Sequence, residues 1–265
     1  MAGKTEIEWA DATLNTAWGC TKVSKGCENC YMYRLSKAFG KPADSPAETK
    51  TWRQQVNRLG EPKIVFLNSM TDTFHEAFSD DLITSWLTHL ATTPHTFICL
   101  TKRTPRMKKY FESHPVPANF WIGTSIENRS AYHRLRPLQK IKAKTKFLSL
   151  EPLLESVSDI DLTDIQWVIV GGESDFQKPR PFDISWAAEI RDKCKSQSQP
   201  IPFFYKQSGG RSKTNGVWGS NILEGKTYLE MPELLKTKES TTVSPKVSPA
   251  RQATQATQAT QATLF

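Results

Sequence analysis

Residues 18–31 read Trp-Gly-Cys-Thr-Lys-Val-Ser-Lys-Gly-Cys-Glu-Asn-Cys-Tyr and contain three of the five cysteines of the chain, Cys20, Cys27 and Cys30. A glycine directly precedes the first two of these cysteines, so the backbone can turn tightly enough to direct three sulfur atoms toward one point. Three thiolates around one point predict a bound metal ion or an iron–sulfur cluster.

A disulfide or a zinc ion could also explain the clustered cysteines. No apolar N-terminal signal segment marks the chain for an oxidising compartment, which disfavours disulfides and predicts a cytoplasmic protein. Structural zinc normally has four protein ligands, and here the fourth would have to come from a distant residue such as His75, Cys99 or Cys194. An iron–sulfur cluster held by three cysteines instead leaves one iron free to bind a substrate or cofactor.

Length and composition are those of an enzyme with one large core. The chain has 265 residues, 38% of them hydrophobic, and no apolar run approaches the roughly 20 residues needed to cross a bilayer. The net charge of +8 is compatible with a nucleic-acid or nucleotide substrate. Gln-Ala-Thr repeats four times from Gln252 to Thr263, so we expect a catalytic domain over residues 1–233 and a disordered tail over residues 234–265.

Short apolar runs recur along the body of the chain and predict strands. Six of them are Ile64–Asn68, Thr96–Leu100, Phe120–Thr124, Lys146–Leu150, Trp167–Val170 and Ile201–Tyr205. Their hydrophobicity is continuous rather than alternating, as a strand covered on both faces requires, and this favours a parallel sheet with helical crossovers. A further strand is predicted at Thr5–Trp9, before the cysteines. The expected fold is therefore α/β, with about six to seven parallel strands in a partial barrel or an open doubly wound sheet.

Helices are predicted between these strands. Two of them are expected over Tyr31–Phe39 and Thr51–Leu59, and a short one over Ser130–Leu135 before Pro137. Three more are expected to begin at Ser79, at Thr104-Pro105 and at Asp183. Cys30 would lie at the positive end of the first helix, where we expect its thiol pKa to be lowered.

Polar residues follow the predicted strands. Because parallel strands end at one edge of a sheet, these residues are expected to converge there with the cysteine loop. They are Asn68, Ser69, Asp72, His75, Lys102, Arg103, Ser125, Glu127, Asn128, Glu151, Gly171, Gly172, Glu173 and Lys206.

Clustered cysteines after the first strand of a repeated βα pattern resemble the radical S-adenosylmethionine (SAM) superfamily, whose partial barrel holds a 4Fe-4S cluster. The usual spacing there is Cys-x3-Cys-x2-Cys, whereas the first gap here is six residues. Over about residues 6–210, the chain is more closely similar to a phage-associated three-cysteine-motif family of unknown function. The segments that carry this similarity are Trp18–Cys20, Asn68–Glu76, Leu100–Arg103, Thr124–Asn128, Leu150–Leu153 and Val170–Ser174.

The superfamily resemblance implies that the three cysteines bind three irons and that SAM binds the fourth through its amino and carboxylate groups. Reductive cleavage of SAM would then give methionine and a 5'-deoxyadenosyl radical that abstracts hydrogen from an unknown substrate. The resemblance also implies a reductant such as a flavodoxin or ferredoxin.

Residues at the strand ends would bind the cofactor and the substrate. Asn68, Ser69 and Asp72 would accept hydrogen bonds from the methionine amino group. Ser125, Glu127 and Asn128 would hold the ribose. Glu151, Gly171, Gly172 and Glu173 would remain for adenine or substrate.

Four further residues at this edge have more than one expected role. Lys102, Arg103 and Lys206 would suit a substrate phosphate or carboxylate, or would balance the nearby carboxylates. His75 is a candidate proton donor, fourth metal ligand or polar loop residue.

A metal-stabilised nucleic-acid-binding module without catalysis is the alternative function. In that case a basic patch would contact phosphates. Its members would be Lys102, Arg103, Arg106, Lys108 and Lys109.

Overall fold

Seven parallel strands form one curled, open sheet, which confirms the predicted α/β half-barrel. The computed structural model describes residues 3–5, 7–175, 178–214 and 217–233. The predicted tail therefore lies outside the described residues. The strands of the main sheet are β1 (Gly3–Lys4), β2 (Ala12–Leu14), β5 (Ile64–Leu67), β6 (Thr96–Thr101), β7 (Phe120–Ser125), β8 (Thr145–Leu150), β9 (Trp167–Gly171) and β10 (Phe203–Gln207). Their spatial order is β1-β2-β5-β6-β7-β8-β9-β10, and only the β1–β2 pair is antiparallel.

Two small ribbons lie outside the main sheet. One pairs β3 (Ala17–Trp18) with β4 (Ala47–Glu48), and the other pairs β11 (Lys213–Thr214) with β12 (Val217–Trp218). β3 lies between the carboxyl end of β2 and Cys20, and its partner β4 follows the cysteine loop and α1 along the chain.

The strands are apolar throughout because both faces of the sheet are covered. Alternate residues such as Val65 and Leu67 join the core under the helices, whereas Phe66 points to the inner face of the curl. The inner face is filled near the amino ends of the strands by large rings, among them Trp121, Phe147, Trp167 and Phe204. Aromatic packing therefore closes the inner face at its amino end and leaves space near the carboxyl ends.

Five of the six helices occur where they are predicted, and the short one over Ser130–Leu135 differs. They are α1 (Tyr31–Ala38), α2 (Trp52–Asn57), α3 (Asp80–Ala91), α4 (Thr104–Ser113), α5 (Leu135–Gln139) and α6 (Ile184–Lys195). The segment predicted as a short helix over Ser130–Leu135 is a 3-10 helix, Arg129–Arg134, that continues into α5. Pro137 lies in the first turn of α5. Proline is tolerated there because the N–H groups of a first turn have no acceptor within the helix. No helix of the described residues is both long and apolar enough to cross a membrane.

The predicted strand at Thr5–Trp9 is wrong. The first strand of the parallel sheet is β2, and Trp9 lies in a turn before it. Trp9 is buried edge-on against Phe66 and Trp167, with ring centroids 4.8 and 6.1 Å away. The apolar alternation of this segment therefore reflects packing across the inner face rather than strand pairing.

Ser79 caps α3 as predicted, and its removal tests how much this cap stabilises the fold. The Ser79 hydroxyl accepts a hydrogen bond from the Leu82 amide at 3.2 Å. We expect Ser79→Ala to lower the free energy of unfolding by about 1 kcal/mol, measured by denaturant titration. Ser85→Ala in the same helix is the control, because the Ser85 hydroxyl only adds a bond to the Leu82 carbonyl. Equal losses in the two variants would contradict the capping role.

Candidate functional site

Cys20, Cys27 and Cys30 line one cavity at the carboxyl edge of the sheet. All three are half-buried free thiols, and the cavity has a volume of about 170 Å³. Its other walls come from the start of α1, from the carboxyl-terminal parts of β5, β6 and β7, and from the segments that follow β5 and β6. These wall residues are Tyr31, Met32, Phe66, Asn68, Ser69, Met70, Thr71, Asp72, Leu100, Thr101, Lys102, Arg103 and Ser125.

Three thiols in one cavity are the donor set that an iron–sulfur cluster would need. Among the described residues, no three His, Cys, Asp or Glu side chains are grouped closely enough to hold one metal ion. Each thiolate of a four-iron cluster binds a different iron, so the thiolates can line a cavity without meeting at one atom. Two of the three proposed fourth zinc ligands, Cys99 and Cys194, are also unsuited, since both are fully buried in the core under the helices.

The predicted lowering of the Cys30 thiol pKa is wrong, although its position is right. Cys30 is the N-terminal cap of α1, but burial raises the pKa of its thiol above the usual value. Burial also raises the pKa of Cys20 to about 11, and Asp72 adds to the rise, while Arg103 opposes it. Bound iron would therefore have to displace the protons from these thiols.

Asp72 and Arg103 form a buried ion pair that connects β5, β6 and the cysteine loop. Their closest oxygen and nitrogen are 3.1 Å apart, and Asp72 and Arg103 are 6% and 5% exposed. Asp72 also accepts hydrogen bonds from the Thr101 hydroxyl and from the Phe74 and Lys102 amides. Both carboxylate oxygens of Asp72 are thus used within the protein.

Arg103 directs its remaining donors to the cysteine loop and to Glu76. It contacts the Cys20 sulfur at 3.8 Å, the Thr21 carbonyl at 3.1 Å and the Thr21 hydroxyl at 3.0 Å. Its Nε donates to Glu76 at 2.8 Å. With the Asp72 bond, these five contacts match the five N–H donors of a guanidinium.

His75 also holds Thr21. Its Nδ1 accepts the Ala77 amide at 3.0 Å, so the neutral ring carries its proton on Nε2, which lies 2.8 Å from the Thr21 hydroxyl. Burial and the neighbouring Arg103 lower the pKa of His75, which favours this neutral form. Both ring nitrogens are therefore engaged with the protein.

Glu127 fixes the middle of the cysteine loop from the end of β7. The residue is fully buried, pairs with Arg134 at 2.7 Å, accepts the Ser24 hydroxyl, and lies 4.0 Å from the Lys102 ammonium. Burial alone would raise the pKa of Glu127, but Lys102 and Arg134 outweigh it and lower that pKa. A Cβ added at Gly26 would lie 2.5 Å from a Glu127 oxygen, so the loop backbone rests directly on this carboxylate.

Glu173 fixes the end of the loop that carries Cys27 and Cys30. It accepts hydrogen bonds from Asn29 at 2.9 Å and from the Arg180 Nε at 2.9 Å. Arg180 in turn donates to the Lys25 carbonyl and to Glu28. The pKa of Glu173 is lowered because these hydrogen bonds outweigh its burial.

The other predicted residues either form hydrogen bonds within the protein, line the cavity, or lie at the sheet edge outside the cavity. Asn68 binds Thr16 and Thr73, and Ser69 contacts Asn15 while also lining the cavity. Ser125 lines the cavity as well. Besides Glu127 and Glu173, six predicted residues are not cavity walls. Asn128 accepts a hydrogen bond from Ser130, Glu151 pairs with Lys206, and His75 contacts Thr21. Gly171 ends β9, and Gly172 follows it.

A glycine is required at position 172. A Cβ there would lie 2.0 Å from the Ser208 carbonyl oxygen, so the turns after β9 and β10 pack backbone to backbone.

Lys102 is the cavity cation that keeps donors for a ligand. Its side chain is 19% exposed and lines the cavity, and its contact with the Glu127 carboxylate is long, at 4.0 Å. A lysine ammonium can donate three hydrogen bonds, so Lys102 can bind an anionic group next to the cysteines.

Several residues of the predicted basic patch form ion pairs or hydrogen bonds within the protein. Arg106 binds Asp80 and the Phe78 carbonyl, and Lys108 pairs with Glu112. Arg103 is buried and Lys102 faces the cavity. Of the five predicted members, Lys109 is exposed, and Lys108 and Arg106 are partly exposed within their ion pairs.

Sequence reasoning missed the partners that orient the site. Arg134 is 2% exposed although it lies in a polar 3-10 helix, and no sequence pattern distinguishes it from a surface arginine. Arg180 could have been suspected, because a carboxylate such as Glu173 at a strand end needs a cation. Ser24 and Thr21 are ordinary loop residues, and only their distances to Glu127 and Arg103 reveal them.

A family model described as "Protein of unknown function (DUF5131)" matches residues 4–232. No curated protein matches the chain. Two solved structures are similar in fold: a cysteine-to-serine variant of spore photoproduct lyase, and a cysteine-to-alanine variant of it with a dinucleoside spore photoproduct. Each is 13% identical with a TM-score of 0.46, and each match covers 75% of this chain. The chain spans only 65% and 64% of those lyase chains, and likeness at this level does not bear on its activity.

Proposed function

The chain belongs to the DUF5131 family of proteins of unknown function, and from its cysteine cavity we propose that it is an iron–sulfur enzyme of the radical SAM type. The observation that carries the proposal is that three free thiols of one loop line one cavity at the carboxyl edge of a parallel half-barrel. This is the edge at which α/β barrels and open sheets place their reacting groups.

Cys20, Cys27 and Cys30 would hold three irons of a 4Fe-4S cluster, so that the fourth iron has no protein ligand. When bound, the cluster and SAM would supply an electron and a sulfonium group whose cleavage gives methionine and a 5'-deoxyadenosyl radical. The half-buried position of the thiols would limit the access of water and oxygen to this chemistry.

The side chains with remaining hydrogen-bonding capacity decide which residues can hold SAM and substrate. Ser69, Ser125 and Lys102 line the cavity and can face a ligand, and Lys102 suits a carboxylate or phosphate. Asn68, Asp72, Glu127 and Glu173 would act mainly by holding the cysteine loop, because their polar atoms already bind the protein. Glu151, Lys206 and Asn128 remain candidates for more distant parts of the ligand.

The proposal requires an electron donor and leaves the substrate open. A reductant such as a flavodoxin or ferredoxin would supply the electron. The net charge of +8 supports a nucleic-acid or nucleotide substrate. The alternative, a nucleic-acid-binding module without catalysis, has less support, since Arg103 is buried and Arg106 and Lys108 are paired with acidic residues.

Anaerobic reconstitution with iron and sulfide tests the proposal. After reduction, addition of SAM is expected to change the electron paramagnetic resonance spectrum of the cluster, and 5'-deoxyadenosine and methionine should form. Omission of the reductant is the control and should give neither product. A protein that carries the cluster but neither responds to SAM nor forms 5'-deoxyadenosine would contradict the proposed reaction.

A further inference from the structure

Arg103 combines deep burial with contacts to both the sheet edge and the cysteine loop. We propose that Arg103 is a positioning residue that fixes Cys20 for cluster binding, rather than a group that binds an anionic substrate. The part of this inference that concerns the cluster rests on the proposed function. The part that concerns the loop does not.

The guanidinium is oriented from the sheet side by groups that are themselves fixed. Asp72 binds Arg103 at 3.1 Å and is held by the Thr101 hydroxyl at 2.6 Å and by two backbone amides. The Arg103 amide also donates to Thr101. The contacts with Asp72, which follows β5, and with Thr101 in β6 therefore fix the plane of the guanidinium independently of the cysteine loop.

The loop side of the guanidinium meets Cys20 and Thr21 together. Three of its five N–H donors go to the Cys20 sulfur and to the carbonyl and hydroxyl of Thr21. Because the remaining two bind Asp72 and Glu76, no donor is left for a ligand anion.

The sequence spacing explains why Cys20 needs its own anchor. Two residues separate Cys27 from Cys30, and this part of the loop is held through Glu127 and Glu173, whereas six residues separate Cys20 from Cys27. A longer loop has more conformations to lose, so a separate clamp on Cys20 reduces the cost of bringing all three sulfurs to one cavity.

Hydrogen–deuterium exchange of the iron-free protein tests the clamp. In the native loop the Gly19 amide binds the Met70 carbonyl at 3.1 Å, and the Cys20 amide binds the Ala43 carbonyl at 2.8 Å. We expect Arg103→Lys, which keeps the charge but not the five-donor geometry, to speed exchange at residues 19–21 by about tenfold. Arg106→Lys on the next turn is the control and should not change exchange there.

Thr21→Val provides a second variant that keeps the Asp72–Arg103 pair intact. It removes one acceptor of Arg103 and the hydroxyl that His75 contacts, but it keeps the Arg103 bonds to the Thr21 carbonyl and to the Cys20 sulfur. Exchange at residues 19–21 should therefore rise less than in Arg103→Lys. In the reconstituted protein it should leave the reduction potential unchanged, whereas Arg103→Lys should lower it, because a hydrogen bond to the Cys20 sulfur is lost.

The outcomes separate this inference from the proposed function. Native exchange rates in both variants would overturn the clamp, whether or not the protein binds iron. Faster exchange in a protein that never takes up iron would support the clamp and refute the cluster. If Arg103→Lys does not fold, the exchange rate of Thr21→Val alone decides, and a native rate overturns the inference.

Discussion

Cys27→Ala is expected to abolish cluster binding while leaving the protein folded. An alanine methyl group cannot bind iron. A cluster held by the two remaining cysteines would therefore have two irons without a protein ligand instead of one. The described residues offer no substitute, because Cys99 and Cys194 are buried elsewhere and both nitrogens of His75 are engaged. Visible absorption of the anaerobically reconstituted protein measures the loss.

Cys194→Ala is the matched control. Cys194 is fully buried in the apolar core, so its truncation should cost some stability but no iron. Equal iron contents in Cys27→Ala and the native protein would contradict the assignment of the ligands. A loss in Cys194→Ala equal to that in Cys27→Ala would instead indicate a general folding defect.

Glu127→Ala is expected to lower the free energy of unfolding more than any of the other substitutions above. The substitution leaves the Arg134 guanidinium, only 2% exposed, without its carboxylate. Removing one partner of a buried ion pair typically costs about 3–5 kcal/mol, and the Ser24 contact to the cysteine loop is lost as well. Denaturant titration of the iron-free protein measures the change in the free energy of unfolding.

Asp159→Ala is the control for this loss, since Asp159 forms an exposed pair with Arg129 and should contribute little. A Glu127→Ala variant as stable as Asp159→Ala would mean that the buried pair does not hold the loop against the sheet.

The main sheet could be predicted because its strands carry a strong local signal. Six runs of continuous hydrophobicity correspond to β5–β10, and burial on both faces is the physical reason for that pattern. β2 escaped prediction because Ala12–Leu14 is only three residues long and lies between polar residues. Nearby Trp9 gave a stronger but misleading signal, since it packs on the inner face without forming a strand.

The candidate site was predictable in position but not in the role of each residue. Strand order along the sheet brings Asp72, Arg103, Glu127 and Glu173 to one edge with the cysteines. Whether a side chain there faces a ligand or another side chain depends on neighbours far apart in sequence, such as Ser24 and Glu127. Lys102 and Arg103 both line the cavity, but the donors of Arg103 are bound to the cysteine loop, Asp72 and Glu76.

The iron and acid-labile sulfide content of the anaerobically reconstituted native protein tests the central claim most directly. A 4Fe-4S cluster on Cys20, Cys27 and Cys30 predicts about four iron and about four sulfide per chain. A protein that takes up no iron and sulfide, or that instead binds about one zinc per chain, would contradict the cluster and with it the proposed radical chemistry.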